Sequence, residues 1–471
     1  MLIIFLLVFF LGCSSAHFNP RSVTQKVAIP SRYSVKSDIL LLEKGINIGC
    51  WWKRFKDPKL ERFIHLLTKK SLDLQIANFK VLEAKANLEQ TSSYLYPHLD
   101  LGFRAEREKI NYNIHTPFGR EITASETSTT YSTSLSVSYE IDLWKKLRNF
   151  KKASFAELVM TEEEKRTLIQ SIICEFVKNY IKIAALNKKI ELLLAKKNIE
   201  KKILEVAKQR FKRGEIGYEL ILELKNKIDL IQEEIAVTQK DVSSLIQECY
   251  VLLGEYPKPF GIHPTIDLIK FKVWKIPAGI PADLVFRRPD IRAEMAKVRA
   301  SFYLKEKAKA NFFPSLTLTG SLGFMSEEFR KMISSENFVW KIAGALVQPI
   351  FRGKEIIAKY KKAKFSYKEE VLRCAKKILI AFKEVERGLL NYEEEVKRET
   401  FVKNRISNLK EKLYILNERF KRGLCSVTDV LNTEEELIDS KIELVQIKSN
   451  IILNHIYLYK SLGGDWDRGC H

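Results

Sequence analysis

The spacing of hydrophobic residues changes several times along the chain, and each change marks an element. Leu60, Phe63, Ile64, Leu67, Leu74, Ala77, Val81, Ala84 and Leu88 recur at helical spacing, which predicts a helix from about Pro58 to Tyr94. Asp57 is placed to cap it, with Pro58 at the first helical position. Pro97 ends that stretch and the period drops to two. Leu99, Leu101 and Phe103 alternate with Asp100, Gly102 and Arg104. A polar stretch from about Glu106 to Thr129 reads as a loop. Alternation then returns, with Tyr131, Thr133, Leu135, Val137, Tyr139, Ile141 and Leu143 on one face and a row of Ser, Glu and Asp on the other. That is a strand with one apolar and one wet face.

From Lys145 to Arg213 there is neither Gly nor Pro. Sixty-odd helical residues reach roughly 90–100 Å, more than a globular core needs. Ile169, Ile173, Phe176, Tyr180, Ile183, Asn187, Ile190 and Leu194 follow the alternating steps of a coiled-coil seam. The run ends at Arg210-Phe211-Lys212-Arg213-Gly214, and a second helix from about Tyr218 to Leu253 folds back along the first.

The same pentapeptide returns as Arg419-Phe420-Lys421-Arg422-Gly423, 209 residues later, and Leu253-Gly254 returns as Leu462-Gly463 at the same offset. Asp73-Leu74 and Tyr96-Pro97 return as Asp290-Ile291 and Phe313-Pro314 at an offset of 217. The chain is therefore two copies of one unit. The offset shrinks because the second hairpin loop, about Ser326–Asn337, is shorter. Strands are expected at 315–325 and 338–351, and a second long helix from near Gly353 to Arg422. The division is a signal peptide (1–12), a tether (13–56), the first repeat (57–256), a linker (257–280), the second repeat (281–465) and a tail (466–471).

Four strands cannot close a barrel, and open strand edges are not tolerated in lipid, so closure requires several chains. The formal net charge is +22, but Lys and Arg interleave with Glu along the helices and no nucleic-acid motif is present. The charge reads as a solvated helix surface. The seven Cys are scattered, and the reading is unpaired thiols apart from Cys13. The apolar run Met1–Gly12 followed by Cys13-Ser14-Ser15 resembles a bacterial lipoprotein signal, which makes Cys13 the lipid-attachment residue; an ordinary secretory signal is the other reading. Metal-ligand clusters, phosphate loops and nucleophile motifs are lacking, so an enzyme, a cofactor and a nucleic-acid partner are not expected.

The run from Ile276 through Arg287-Arg288-Pro289-Asp290-Ile291-Arg292, with Phe312-Phe313-Pro314, Trp51-Trp52, Glu140-Ile141-Asp142-Leu143-Trp144 and Gln348-Pro349-Ile350-Phe351, resembles the outer membrane factor family. More narrowly, it is similar to the lipoprotein branch typified by OprM and NodT. The resemblance implies a mainly α fold with a transmembrane β-barrel. In a TolC-like homotrimer each chain would give four strands to a twelve-stranded barrel mounted on a long coiled-coil α-barrel. It implies the outer-membrane exit duct of a tripartite efflux system for small molecules, in a Gram-negative-type bacterium. The partners would be a periplasmic adaptor (membrane fusion protein), an inner-membrane transporter and outer-membrane lipid. The family's periplasmic entrance lies at the hairpin tips. Carried over, Asp429, Asn432, Glu219 and Phe420 would form the gate, with Cys425 where the family has an Arg. Arg210, Arg213, Gly214, Arg419, Arg422 and Gly423 would form the tips and adaptor contact. A duct for type I protein secretion and a non-pore periplasmic scaffold are the alternatives.

Overall fold

A computed structural model of the chain describes residues 18–20, 23, 25–27, 29–30, 32–35, 37, 39–41, 50–115, 119, 121–277 and 287–464. The signal segment, Cys13 and the 466–471 tail lie outside them. The elements are β1 (Leu40–Leu41), α1 (Pro58–Lys70), α2 (Leu72–Ser93), β2 (His98–His115), β3 (Glu121–Ile141), α3 (Lys146–Lys212), α4 (Tyr218–Leu253), β4 (Ile276–Pro277), α5 (Pro289–Ala310), β5 (Ser315–Ser326), β6 (Phe338–Val347), α6 (Glu355–Lys421) and α7 (Val427–Ser461). The duplication is visible in the bounds. The ends of α5 lie 217 residues after those of α2, and the ends of α6 lie 209 after those of α3. The described residues divide into two compact units, one within Met1–Ser22, Leu82–Met160 and Met295–Arg373, the other within Val23–Val81, Thr161–Glu294 and Cys374–His471.

The first unit is built on an antiparallel sheet of order β2-β3-β5-β6. Leu101 opposes Leu135, Leu135 opposes Leu322, and Leu322 opposes Trp340. Because cross-strand partners share a face, this register gathers Leu99, Phe103, Val137, Leu318, Phe324 and Ile342 on the same side as well. The opposite side carries Asp100, Arg104, Ser132, Ser134, Ser321 and Lys341. The expected loop at Glu106–Thr129 is instead ribbon. β2 and β3 stay paired from His98↔Ser138 to His115↔Glu121. Thr, Ser, Ile and Tyr suit a strand, but this part has polar residues on both sides, so the period-two signal that reveals a half-buried strand is missing. The last strand stops at Val347, two residues before Pro349, which has no N–H to extend a ladder.

The second unit is helical. α3 and α6 have 67 residues each, so each measures roughly 100 Å. Phe176, Val177, Tyr180, Ile181 and Ile183 are fully buried on α3. Further along, the expected seam is overturned. Asn187 and Leu194 are exposed while Leu193 is buried against Ile231 and Ile235 of α4. Leu193, one position before the expected seam residue, takes the inward place because α4 packs on that side of the helix. The single helix expected from Pro58 to Tyr94 is two. Ser71 breaks it at φ −52°, ψ 125° and donates its N–H to the Leu67 carbonyl. Gly254, at φ +73°, comes so close that a Cβ there would sit 2.9 Å from the Lys70 carbonyl oxygen.

Asp57 caps α1 as expected, accepting from the N–H groups of Lys59 and Leu60. It also accepts from the Tyr180 hydroxyl at 2.8 Å and the Thr265 N–H at 3.2 Å. Burial acts to raise this carboxyl's pKa, and those hydrogen bonds outweigh it to leave the value lowered. Described parts of the tether dock on the body: Leu40 and Leu41 pair in parallel with Ile276 and Pro277, and the N–H groups of Ser34 and Val35 donate to Glu386. The expectation of unpaired thiols fails at Cys50, which is disulfide-bonded. Cys174, Cys249 and Cys425 are free thiols.

His455 is buried on α7, with Nε2 2.7 Å from the Trp274 carbonyl oxygen and its ring edge-on to the Trp274 indole. Burial pushes its pKa down from 6.5 to about 4. The unfolded chain takes up this proton below pH 6.5 and the folded chain does not until about pH 4. Stability is therefore complete above the first value and declines between the two, by up to ~3 kcal/mol. Thermal melts at stepped pH check this. His455→Gln, which keeps an N–H donor, should show a shallower acid decline than the parent.

Candidate functional site at the hairpin tips

Both long helices end the same way. Gly214 and Gly423 sit in the left-handed region at φ +75° and +73°. The N–H of Gly214 reaches the Phe211 carbonyl at 2.8 Å and that of Glu215 reaches the Arg210 carbonyl at 3.0 Å. Gly423 and Leu424 repeat this pattern on Phe420 and Arg419, at 2.9 Å each. These are Schellman closures, which satisfy the last helical carbonyls and need a residue without Cβ strain. No atom lies within 4 Å of a Cβ built on either glycine, so backbone conformation alone selects Gly here.

Beyond the glycines the tips diverge. In the first, Glu215 holds Arg210 at 3.1 Å and Arg213 at 3.7 Å, and Phe211 packs on Tyr218 with centroids 5.6 Å apart. In the second, Leu424 stands where Glu215 would be. The neighbouring Glu418 pairs instead with Lys421 at 2.6 Å, and Phe420 and Leu424 are exposed. Cys425 is half-buried and its thiol donates to the Leu416 carbonyl.

Asp429 and Asn432 lie on one exposed face of α7, followed by Glu436 and Asp439. Asp429 has a structural task as well. It accepts from the Ser426 N–H at 3.0 Å while Ser426 Oγ accepts from the Thr428 N–H at 3.1 Å, a capping box. Glu219 is in the first turn of α4, folded back so that a Cβ on Gly217 would strike its carboxylate. With the 209-residue offset, Glu219 corresponds to Thr428, so the two acids are not repeat equivalents.

One cluster near the tips had no sequence signal. Glu200 of α3 is fully buried, and Lys227 of α4 lies against it. Lys227 Nζ also meets Glu435 of α7 at 2.6 Å. Lys196 adds contacts to Glu435 at 3.3 Å and Asp439 at 2.8 Å. Burial, then the neighbouring Glu435 carboxyl, push the Glu200 pKa up. At Glu435 burial acts upward too, but bonds to Glu200 and Lys227 outweigh it and the value is lowered. Glu200 is thus the side of the pair that holds a proton more readily. Ile199 and Ile203 pack with Leu431 and Ile438 beside it. Charge and packing together fasten α7 to the first hairpin. Five charged residues spread over three helices, each resembling a solvated surface residue in sequence, give no local pattern to find.

Among the described residues no group of acids, His and Cys could hold a metal ion, and no helix is long and apolar enough to cross a membrane. The chain is similar to the pyoverdine export outer membrane protein OpmQ of Pseudomonas putida, 23% identical with 97% of this chain and 95% of that protein aligned. It is similar to the cation efflux system protein CusC of Escherichia coli, 25% identical over 97% of this chain and 96% of that protein. The open-state MtrE outer membrane channel of Neisseria gonorrhoeae has the same fold, with a TM-score of 0.81 at 21% identity, covering 97% of this chain and 99% of that one. The family described as outer membrane efflux protein matches residues 63–243 and 281–464. With a membrane-type sheet and two long helical hairpins in one duplicated chain, this protein belongs to the outer membrane efflux protein family and is an outer-membrane efflux channel.

Proposed function

We propose that three copies of the chain close a twelve-stranded barrel and form the exit duct of a tripartite pump, with a periplasmic adaptor and an inner-membrane transporter. The observation that carries this is the sheet. It has an apolar face and a polar face, and its outer strands β2 and β6 have no further strand partner among the described residues. Such edges are stable in lipid only when closed by other strands, and a polar inner face suits a water-filled lumen. Exposed Phe211, Tyr218, Leu220, Phe420 and Leu424 at the tips offer an apolar surface for the adaptor. Cys13 would carry the acyl anchor. The relatives' names mention pyoverdine and cations, so cargo differs among them and would be selected upstream of the duct. Conductance in planar bilayers tests the reading: a purified assembly that inserts and passes no current sinks it.

At the entrance, Asp429 and Asn432 would ring the axis, with Phe420 and Glu219 beside them. Asp429→Asn keeps an acceptor for the Ser426 N–H and removes the charge. The expected result is a reduced cation preference in the reversal potential, with the melting temperature unchanged. Unchanged selectivity would make Asp429 a helix cap and nothing more.

A further inference from the structure

The chain's positive charge is unevenly placed. All four strands meet the helices at one rim of the sheet, at residues 97, 142, 314 and 348. In the segments bordering that rim, 88–97, 140–154, 302–314 and 348–364, there are fourteen Lys and Arg against five Asp and Glu. Most of those acids are already engaged. Lys146 binds Glu140 at 2.6 Å, Arg148 binds Asp142 at 3.0 Å, Lys305 binds Glu306 at 2.9 Å, and Lys359 binds Glu355. Five acids cannot neutralise fourteen bases, so the rim is strongly cationic. Lys151, Lys152, Lys354, Lys361 and Lys362 are exposed there.

The same rim is aromatic. Trp144 donates its indole N–H to the Pro314 carbonyl at 2.8 Å and stacks on Phe313 with centroids 4.7 Å apart. Phe312 meets Tyr360 edge-on, and Tyr94 stacks on Phe150. Lys307 lies over the Phe150 ring, 3.1 Å from its centroid. Tyr96, Ile350 and Phe351 are exposed. Amphipathic rings with long basic side chains are what a membrane–water boundary selects, because the rings sit at headgroup level and the lysine stems extend their charges toward phosphate.

The rim borders the helix-side end of the sheet's apolar face. Counted along β6, the apolar positions run from Phe338 to Leu346. Nine residues of tilted strand rise roughly 20–25 Å, about the apolar height of a transmembrane barrel. The belt and the lysines then follow at the helix-side border, which in this family faces the periplasm. Lys145 and Lys354 add a sign of duplication. They are 209 residues apart, immediately precede α3 and α6, and both have left-handed backbone at φ 60° and 69°.

From the charge excess and its place at the border of the lipid-facing sheet, we propose that this rim binds anionic phospholipid headgroups of the periplasm-facing leaflet. The occupant is a lipid phosphate held by lysines, with its acyl chains against the apolar face of β5 and β6.

The test uses the full-length assembly, purified and reconstituted into phosphatidylcholine vesicles with or without phosphatidylglycerol, and lipid retention read by native mass spectrometry. Phosphatidylglycerol should be retained in preference to phosphatidylcholine, less so at high salt. The variant Lys354→Gln/Lys361→Gln/Lys362→Gln should lose the preference by roughly fivefold per lysine removed. Lys151→Gln/Lys152→Gln, on another segment of the rim, gives an independent measure should the triple variant fail to assemble. Equal retention of the two lipids by the parent overturns the proposal. So does a change in the channel's ion selectivity in the variants with retention unaltered, which would put these lysines in the lumen.

Discussion

Arg288→Ala is expected to cost about 3–5 kcal/mol of stability, because it strands buried partners of a charge. The Arg288 side chain is 9% exposed. Its Nε and one terminal nitrogen form a fork on Asp290 at 2.9 and 2.8 Å, and the other terminal nitrogen reaches the Ser461 carbonyl at 3.0 Å and Glu384 at 2.7 Å. One guanidinium therefore joins the start of α5 to α6 and to the end of α7. Pro289 fixes the first helical turn beside it. Arg292 extends the joint to Glu163 of α3 at 2.7 Å. Arg288→Lys should recover only part of the loss, since an ammonium cannot make the paired contact with Asp290. Burial acts to raise the Asp290 pKa, but Arg288 outweighs it and the result lies below 3.8. A lowered acid contributes stability that is present above its unfolded pKa and lost as pH falls through the folded one. The parent should accordingly lose stability below about pH 4, and Arg288→Ala should lack that component. Thermal melts of parent and variants from neutral to acid pH decide the matter. Equal melting temperatures at neutral pH would show that the motif does not hold these helices.

The distance between what the sequence revealed and what it hid follows from which side of each residue meets water. Leu99, Leu135, Leu322 and Trp340 could be assigned to one face because their neighbours in sequence are polar, and the structure joins them in register. The upper ribbon, from Glu106 and Thr130 outward, follows the same backbone pattern with polar residues on both sides, so nothing in its composition separates strand from loop. The tips were legible because only glycine suits their turns. What Asp429 does there was not, because a capping acid and a gating acid are the same letter. Ser71 could not be seen to divide a helix, since the reason lies partly in Gly254 arriving from the far end of α4. The Arg288 motif was conspicuous as letters, but its partners Glu384 and Ser461 lie some ninety and a hundred and seventy residues away.

Lys227→Ala is expected to loosen the join between the two hairpins and to make the channel leaky in its resting state. Lys227 stands between a fully buried Glu200 and Glu435, itself 11% exposed. Removing the ammonium leaves two carboxyls side by side with little water, which costs about 2–3 kcal/mol once the partial exposure of the lysine is discounted. Glu200 lies ten residues before Arg210, so the break falls roughly 15 Å up the helix from the tip. The packing of Leu431 and Ile438 against Ile199 and Ile203, with the contacts of Lys196 to Glu435 and Asp439, would then hold α7. Single-channel recordings should show more frequent opening, and cells carrying the variant should admit bulky compounds. Two further results separate a specific latch from general damage. Glu200→Gln alone should be milder, because burial and the Glu435 carboxyl already make Glu200 the less readily ionised of the pair, and added to Lys227→Ala it should restore closure; neighbouring charges couple non-additively in this way. The leak in Lys227→Ala should also shrink as pH falls, because two adjacent carboxyls accept a shared proton more readily than either does alone. A folded Lys227→Ala assembly with the parent's opening frequency at neutral pH would remove the cluster from any account of closure, and a leak that grows with acid would mean the carboxyls do not repel each other as the geometry requires.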